Sequence, residues 1–307
     1  MSADCGGSCG GGAGGPDSGK KDMGTAIQDE LISSALAKIK YKIFVMSGKG
    51  GVGKTNFALN LGYCMFKGNH PLLLMDCDLG LANLDVLLGI APDKNLMDIL
   101  DAGAEAGDVA VQLEKGGFDF IPAATGLPEL VELDEEMRAT LLNKLSSAFS
   151  AYDFLFMDLG AGITPTVMNF AAMSQMRVVI VTPEPTSLTD GYALIKVLNT
   201  EYGITDFQVV VNMVESKSEE KQTFSRLSAA CEKFLGFGVS FLGSVRQDKT
   251  VAEAVRRQTP LMKMAPQSPA AQDIFAIARK LKAMRDDMLP ELQDKPVLAP
   301  LLREDLD

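Results

Sequence analysis

One histidine, His70, serves a chain of 307 residues. That scarcity excludes a metal centre built on clustered imidazoles and any hydrolase that needs several of them. His70 lies between Asn69 and Pro71, ahead of an apolar run, and reads as a surface turn residue. Cations are outnumbered too: 29 Lys plus Arg face 40 Asp plus Glu, a formal charge of −11. A domain devoted to neutralising nucleic-acid phosphates carries the opposite balance, so nucleic acid is not an expected partner. The one obvious basic strip is Arg279, Lys280, Lys282 and Arg285. At a helix end, such cations more often compensate the helix dipole. Five cysteines (Cys5, Cys9, Cys64, Cys77, Cys231) are odd in number and lack the spacing of a secreted scaffold. They point to a reduced compartment. The N-terminus shows no signal-peptide core, and no apolar run nears the roughly 18 residues of a membrane span. A cytoplasmic protein is expected; a peripheral contact with the inner face of the cell membrane stays open.

Apolar residues make up 47% and charged residues 22%, the balance of an ordinary soluble globular chain. Residues 1–22 hold eight glycines and two cysteines but almost nothing large and apolar, and read as a flexible tail. Residues 23–40 carry Ile27, Leu31, Leu36 and Ile39 among polar positions, a modest amphipathic leading helix. From 41 onward, short apolar runs alternate with helical stretches. Strands are expected at 43–47, 72–77, 118–121, 154–158, 177–182, 208–212 and 239–243, with crossover helices at 54–67, 135–149, 187–201 and 218–235. Most of the runs are continuous rather than alternating, as in strands covered on both faces. The expected fold is α/β: a doubly wound, mainly parallel sheet of about seven or eight strands spanning 41–289. A last helix at about 268–289 should end at Pro290, leaving an acidic segment at 290–307.

The segment Gly48, Lys49, Gly50, Gly51, Val52, Gly53, Lys54, Thr55 fits G-x-x-x-x-G-K-[ST] and stands between a strand and a helix. Glycines let the backbone wrap phosphate oxygens, and the helix N-terminus adds positive potential. Lys54 should reach the β- and γ-phosphates, the Thr55 hydroxyl should ligate Mg²⁺, and Asn56 closes the loop. Asp76 and Asp78 lie two apart at a strand end, so both carboxylates point the same way and can share a Mg²⁺ and water site. One of them could instead cap the next short helix, and Asp85 reads as surface or capping. Cys77, between them, should face the core. Phe154 to Met157 lead into Asp158, a strand-end carboxylate placed to hold the Mg²⁺ shell. Gly160 and Gly162 follow it and permit a phosphate-sensing switch loop.

These blocks, together with IPAATGLPELVEL, VTPEPTSLTDGYALIKVL, VNMVESKSEE and FLGSVRQDKTVAEAVRRQTPLMKMAPQSPAA, resemble the MinD/ParA-type ATPases over about residues 41–285. KGGVGKT resembles the deviant Walker A of that class. The DLGAGI exit and the TPEPTSLTDGYALIKVL block are most similar to the flagellar-number regulators FlhG and FleN. MinD proteins usually carry a proline-containing exit and a basic C-terminal membrane helix, and neither is evident here. The resemblance implies an ATPase that dimerises on ATP and Mg²⁺, with low turnover. Lys49, Lys54 and Asp78 would form its catalytic set, Lys49 crossing to the partner's nucleotide and Asp78 orienting water. Asn212 would read the adenine, with the loop 246–250 near the base. Implied partners are a second copy, an FlhF-like GTPase or flagellar switch proteins. The family's glutamine-containing segment that stimulates FlhF is not found in the tail. The tail resembles instead the start of Mrp-type iron–sulfur ATPases, and Cys5 and Cys9 are its candidate cluster ligands. The Cys-Pro-x-Cys pair of that group is missing. Two alternatives thus stay open: an Mrp-like cluster carrier and a MinD/ParA-type positioning or partitioning ATPase.

Overall fold

A computed structural model describes residues 41–77, 83–101, 103–122, 144, 151–163, 165–172 and 174–294. The expectations for the tail 1–22, the leading helix 23–40, Asp78, most of the helix at 135–149 and the segment beyond Asp294 lie outside the described residues.

The chain enters on β1 (Lys42–Met46), passes through the glycine loop into α1 (Lys54–Lys67), and continues into β2 (Leu72–Cys77) and a short α2 (Leu84–Leu88). A hairpin of β3 (Val111–Glu114) and β4 (Phe118–Ile121) follows, then β5 (Phe154–Leu159), α3 (Pro165–Ala172) and β6 (Met176–Val181). The last part holds α4 (Pro185–Tyr202), β7 (Gln208–Val214), α5 (Lys217–Leu235), β8 (Ser240–Arg246), α6 (Lys249–Arg256), α7 (Leu261–Met264) and α8 (Pro269–Asp294).

Among the described residues, eight strands form one sheet in the order β3-β4-β2-β5-β1-β6-β7-β8. Every pairing is parallel except β3 with β4. The winding runs outward from β1 through β2 to β4 and returns to slot β5 beside β1. It then proceeds the other way through β6, β7 and β8. That reversal beside β1 opens a crevice at the carboxyl ends of the strands, where doubly wound folds take their ligands.

The continuous apolar runs are explained by burial on two sides. Phe44, Met46, Leu155, Met157, Val179 and Val181 face one way and pack with Val167 of α3, Leu194 and Leu198 of α4 and Leu227 of α5. Ile43, Val45, Phe154, Phe156, Val178 and Ile180 face the other way, onto Phe57 and Leu61 of α1 and Ile274, Ile277 and Leu281 of α8. Neighbours along a strand thus serve opposite cores. Arg177 is an exception inside β6. Its guanidinium donates to the carbonyls of Ala171 (2.8 Å), Ala172 (3.0 Å) and Ser174 (2.9 Å), closing the end of α3, and burial lowers its pKa to about 10.

Three expectations change. No strand is expected at β3, where three half-buried residues and the exposed Gln112 mix polar and apolar positions, and Gly116 and Gly117 reverse the chain into β4. The last helix does not stop at Pro290 but runs on to Asp294. A proline removes one amide donor but its fixed φ is compatible with helical backbone, so the helix can continue past it. His70 is not simply a surface turn residue: its Nδ1 lies 3.1 Å from Asp153 Oδ2 and its ring stands edge-on to Phe154.

Candidate functional site

β1 ends at the head of the crevice, and the loop from Ser47 to Gly53 is pinned from several sides. The Ser47 hydroxyl donates to the Lys49 carbonyl at 2.9 Å. A Cβ on Gly48 would run into the backbone carbonyl of Asp190 in α4, so only glycine fits there. Gly53 holds φ +83°, and a Cβ on it would stand 2.5 Å from Asn212 Nδ2. Asn212, at the end of β7, donates to the Val52 carbonyl at 2.8 Å. Gly50 and Gly51 remain exposed at the mouth, and Thr55 and Asn56 are half-buried in the first turn of α1. That turn carries no acidic side chain of its own at the helix dipole's positive end.

Behind the loop, Lys54 Nζ meets Asp158 Oδ1 at 2.6 Å, the two side chains only 7% and 1% exposed. Asp158 is the register partner of Asp76 on the neighbouring strand, so two buried carboxylates stand side by side next to one ammonium. Asp76 Oδ2 accepts from the amides of Asn83 (3.2 Å) and Leu84 (3.3 Å), so it serves as the cap of α2. Asp85 accepts from the Val86 amide at 2.7 Å. Gly160 lies just after β5, and the Gly162 amide donates to the Ser47 carbonyl at 3.2 Å, tying the loop after β5 to the end of β1. Asp78, the third expected carboxylate, is outside the described residues.

Thr55, Asp76 and Asp158 offer hard oxygen donors, the kind that Mg²⁺ takes while keeping water and phosphate oxygens as its other ligands. No group of three or more His, Cys, Asp or Glu side chains that could hold a metal gathers among the described residues. The described cysteines do not converge either. Cys64 and Cys231 are buried in separate cores, and burial pushes their thiols up to about 12 and about 11. Cluster iron needs thiolate. Cys5 and Cys9 are outside the described residues.

Several partners were invisible in the linear pattern. Lys49 Nζ is bound within its own chain, to Glu184 Oε2 at 2.6 Å and Thr186 Oγ1 at 3.1 Å. Both residues sit in the TPEPTSLTDGY block, but only the fold shows that the head of α4 abuts the glycine loop. The expected base loop is also engaged: Arg246 forms a two-pronged ion pair with Asp273 (2.8 and 2.9 Å), and Asp248 caps α6 at the Thr250 amide. The basic strip disperses. Arg285 is buried near Asp153 and over the Phe154 ring, Lys280 donates to the Leu242 carbonyl, and Lys282 pairs with Asp286. Among the described residues no helix is long and apolar enough to cross a membrane.

Comparison with known proteins agrees with this geometry. Residues 43–261 match the CobQ/CobB/MinD/ParA nucleotide binding domain. The antiactivator FleN of Pseudomonas aeruginosa is 38% identical over 239 residues, which cover 78% of this chain and 85% of that one. The flagellum site-determining protein YlxH of Helicobacter pylori is 31% identical over 237 residues, 77% and 80% of the two chains. In fold, the chain resembles the septum site-determining protein MinD of Pyrococcus horikoshii, solved with Mg-ADP. That likeness has a TM-score of 0.62 and 23% identity, and covers 80% of this chain and 96% of that one. With a pinned glycine loop facing two buried carboxylates and a family match across most of its length, the chain belongs to the CobQ/CobB/MinD/ParA nucleotide-binding family, as a MinD/FlhG-type P-loop ATPase.

Proposed function

We propose that this ATPase works as a dimerising switch that sets the number or placement of flagella. The observation that carries the reading is the buried Lys54–Asp158 pair, which joins the glycine loop to the end of β5 across one crevice. A buried lysine at the end of a glycine loop is a cation placed for phosphate. On ATP binding, Lys54 exchanges Asp158 for the β- and γ-phosphates, which frees that carboxylate. Mg²⁺, when bound, offsets charge on those phosphates, and Thr55, Asp158 and Asp76 are the residues that would hold it. The amides of 50–55 cradle the phosphates and Asn212 braces the loop from β7. Asp78 orients the attacking water, and ADP and phosphate leave without a covalent intermediate.

Lys49 gives the dimer its logic. Its bond to Glu184 is solvent-exposed, and such pairs contribute about 1 kcal/mol or less. A second copy's phosphates can therefore draw it away, each Lys49 closing on the other subunit's nucleotide. When the γ-phosphate is lost, the loop with Gly160 and Gly162 loses that contact and the halves part. The relatives' names, an antiactivator and a flagellum site-determining protein, support a flagellar process. We infer an FlhF-like GTPase or flagellar switch proteins as partners of the ATP-bound dimer, at the inner face of the cell membrane.

Three variants test this. Lys54→Ala should abolish ATP binding; micromolar binding retained by calorimetry would reject the phosphate site. Asp78→Ala should accumulate an ATP-loaded dimer, and normal turnover would remove Asp78 from the water-positioning role. Lys49→Ala should bind nucleotide yet stay monomeric in gel filtration, so an ATP-dependent dimer of this variant contradicts the trans contact.

A further inference from the structure

Asn60, in the middle of α1, is a polar side chain with no exposure to solvent. A buried amide is tolerated when its donors and its acceptor are all engaged, and here they are. Its Oδ1 accepts from the backbone amide of Met262 in α7 at 3.0 Å. Its Nδ2 donates to the Asn56 carbonyl at 2.8 Å and to Asn56 Oδ1 at 3.2 Å. The first of these bonds satisfies an amide at the head of α7, which a helix cannot satisfy for itself. The last one reaches the side chain of a glycine-loop residue, and helix packing does not require it.

The direction of this chain of bonds is fixed from its far end. A backbone N–H can only donate, so the Met262 amide holds the oxygen of Asn60 toward α7 and turns its NH₂ toward the head of α1. That NH₂ can only donate in turn, so Asn56 must offer its own oxygen inward and keep its NH₂ for the other side. The starting donor is well anchored. Beside it, Lys263 pairs with Glu114 of β3 and lies 5.2 Å from the centre of the Tyr63 ring. Asn56 is half-buried in the first turn of α1, and among the described residues nothing accepts from its NH₂. Backbone amides and the positive end of the helix dipole gather at that same turn. An NH₂ there adds to an anion site, whereas a flipped amide would set an oxygen against phosphate.

We propose that Asn60 is a positioning residue for the nucleotide: it relays the polarity of the Met262 amide to Asn56, so that Asn56 meets the phosphates with a donor. This rests on the ATP-binding reading above and adds to it a residue that touches no ligand. The experiment titrates Mg-ATP calorimetrically into the full chain, Asn56→Ala, Asn60→Ala and the double variant, with folding checked by circular dichroism. Each single substitution should weaken binding about three- to tenfold, and the double variant no more than either alone, because Asn60 acts through Asn56. Additive losses would overturn the relay, since Asn60 would then support the helix without acting on Asn56. Unchanged affinity in Asn60→Ala would overturn it as well. A spectroscopic readout decides the matter even if Asn60→Ala fails to fold. In the unaltered chain with isotope-labelled asparagine, the Asn56 side-chain amide signal, identified by its loss in Asn56→Ala, should shift when Mg-ATP is added. A signal that stayed in place while Mg-ATP bound would overturn the relay and leave the phosphate site standing. If the unaltered chain bound no Mg-ATP, the phosphate site itself would fall, and the relay with it.

Discussion

Lys54 and Asp158 bury opposite charges 2.6 Å apart, and neither can lose its partner cheaply. Removing one member of such a pair leaves an uncompensated charge in the core, at a cost of about 3–5 kcal/mol. Asp158→Asn should therefore lower the nucleotide-free chain's stability by about that amount in urea unfolding, and Lys54→Met combined with Asp158→Leu should restore much of it. An unshifted unfolding midpoint in the single variant would show that the pair is not buried in solution. Lys42 offers a test by pH. Burial lowers its pKa from the ordinary 10.5 to about 8. Between those values the unfolded chain holds the proton that the folded chain has released, so this residue's contribution rises as pH climbs through the window. Below about pH 8 the burial penalty is fully present. Lys42→Met should flatten stability against pH between 8 and 10.5; an unchanged slope would mean that the ammonium stays charged in the fold.

At the scale of the element, the glycine loop separates permissive from restrictive positions. Gly50 has open space where a Cβ would go, whereas Gly53 combines φ +83° with Asn212 at 2.5 Å. Gly50→Ala should melt like the unaltered chain. Gly53→Ala should lose about 1–3 kcal/mol and bind ATP at least about tenfold more weakly, because strain and displacement of Asn212 act together. Equal melting of the two variants would contradict the loop geometry. Helix α5 shows ordinary local design: the Ser216 hydroxyl accepts from the Glu219 amide at 3.2 Å, and Gly236 ends the helix at φ +81°. Ser216→Ala should cost about 1 kcal/mol, measured by thermal melting, with no change in ATP affinity.

For the whole molecule, ligand binding and folding are linked. Mg-ATP at about 100 times its Kd should add about 2.7 kcal/mol to unfolding stability, provided only the folded chain binds. Lys54→Ala should abolish that increment, and an undiminished ligand-induced shift in melting temperature would place nucleotide elsewhere. The two cores on either side of the sheet also predict the reactivity of the cysteines. Cys64 and Cys231, with thiols raised by burial to about 12 and about 11, should resist alkylation at neutral pH until the chain unfolds. Rapid labelling of Cys231 in the folded chain would mean that the contact of α5 with the sheet opens freely.

Local pattern was enough to determine the alternation of strand and helix, the parallel sheet and the glycine loop with its lysine. Each is written in residues a few positions apart: continuous apolar runs, or glycines at set spacing before a helix. Only tertiary structure decided what those residues meet. Lys54 finds Asp158 from 104 positions away, Lys49 finds Glu184 from 135, and Asn212 finds Val52 from 160. Arg285 left an apparent basic strip for the core, and Asp76 took up the capping of α2, because neighbours from other elements offered them partners. Sequence periodicity encodes which face of an element turns inward. The identity of the group waiting there depends on strand order, which is set by how the whole sheet winds around β1.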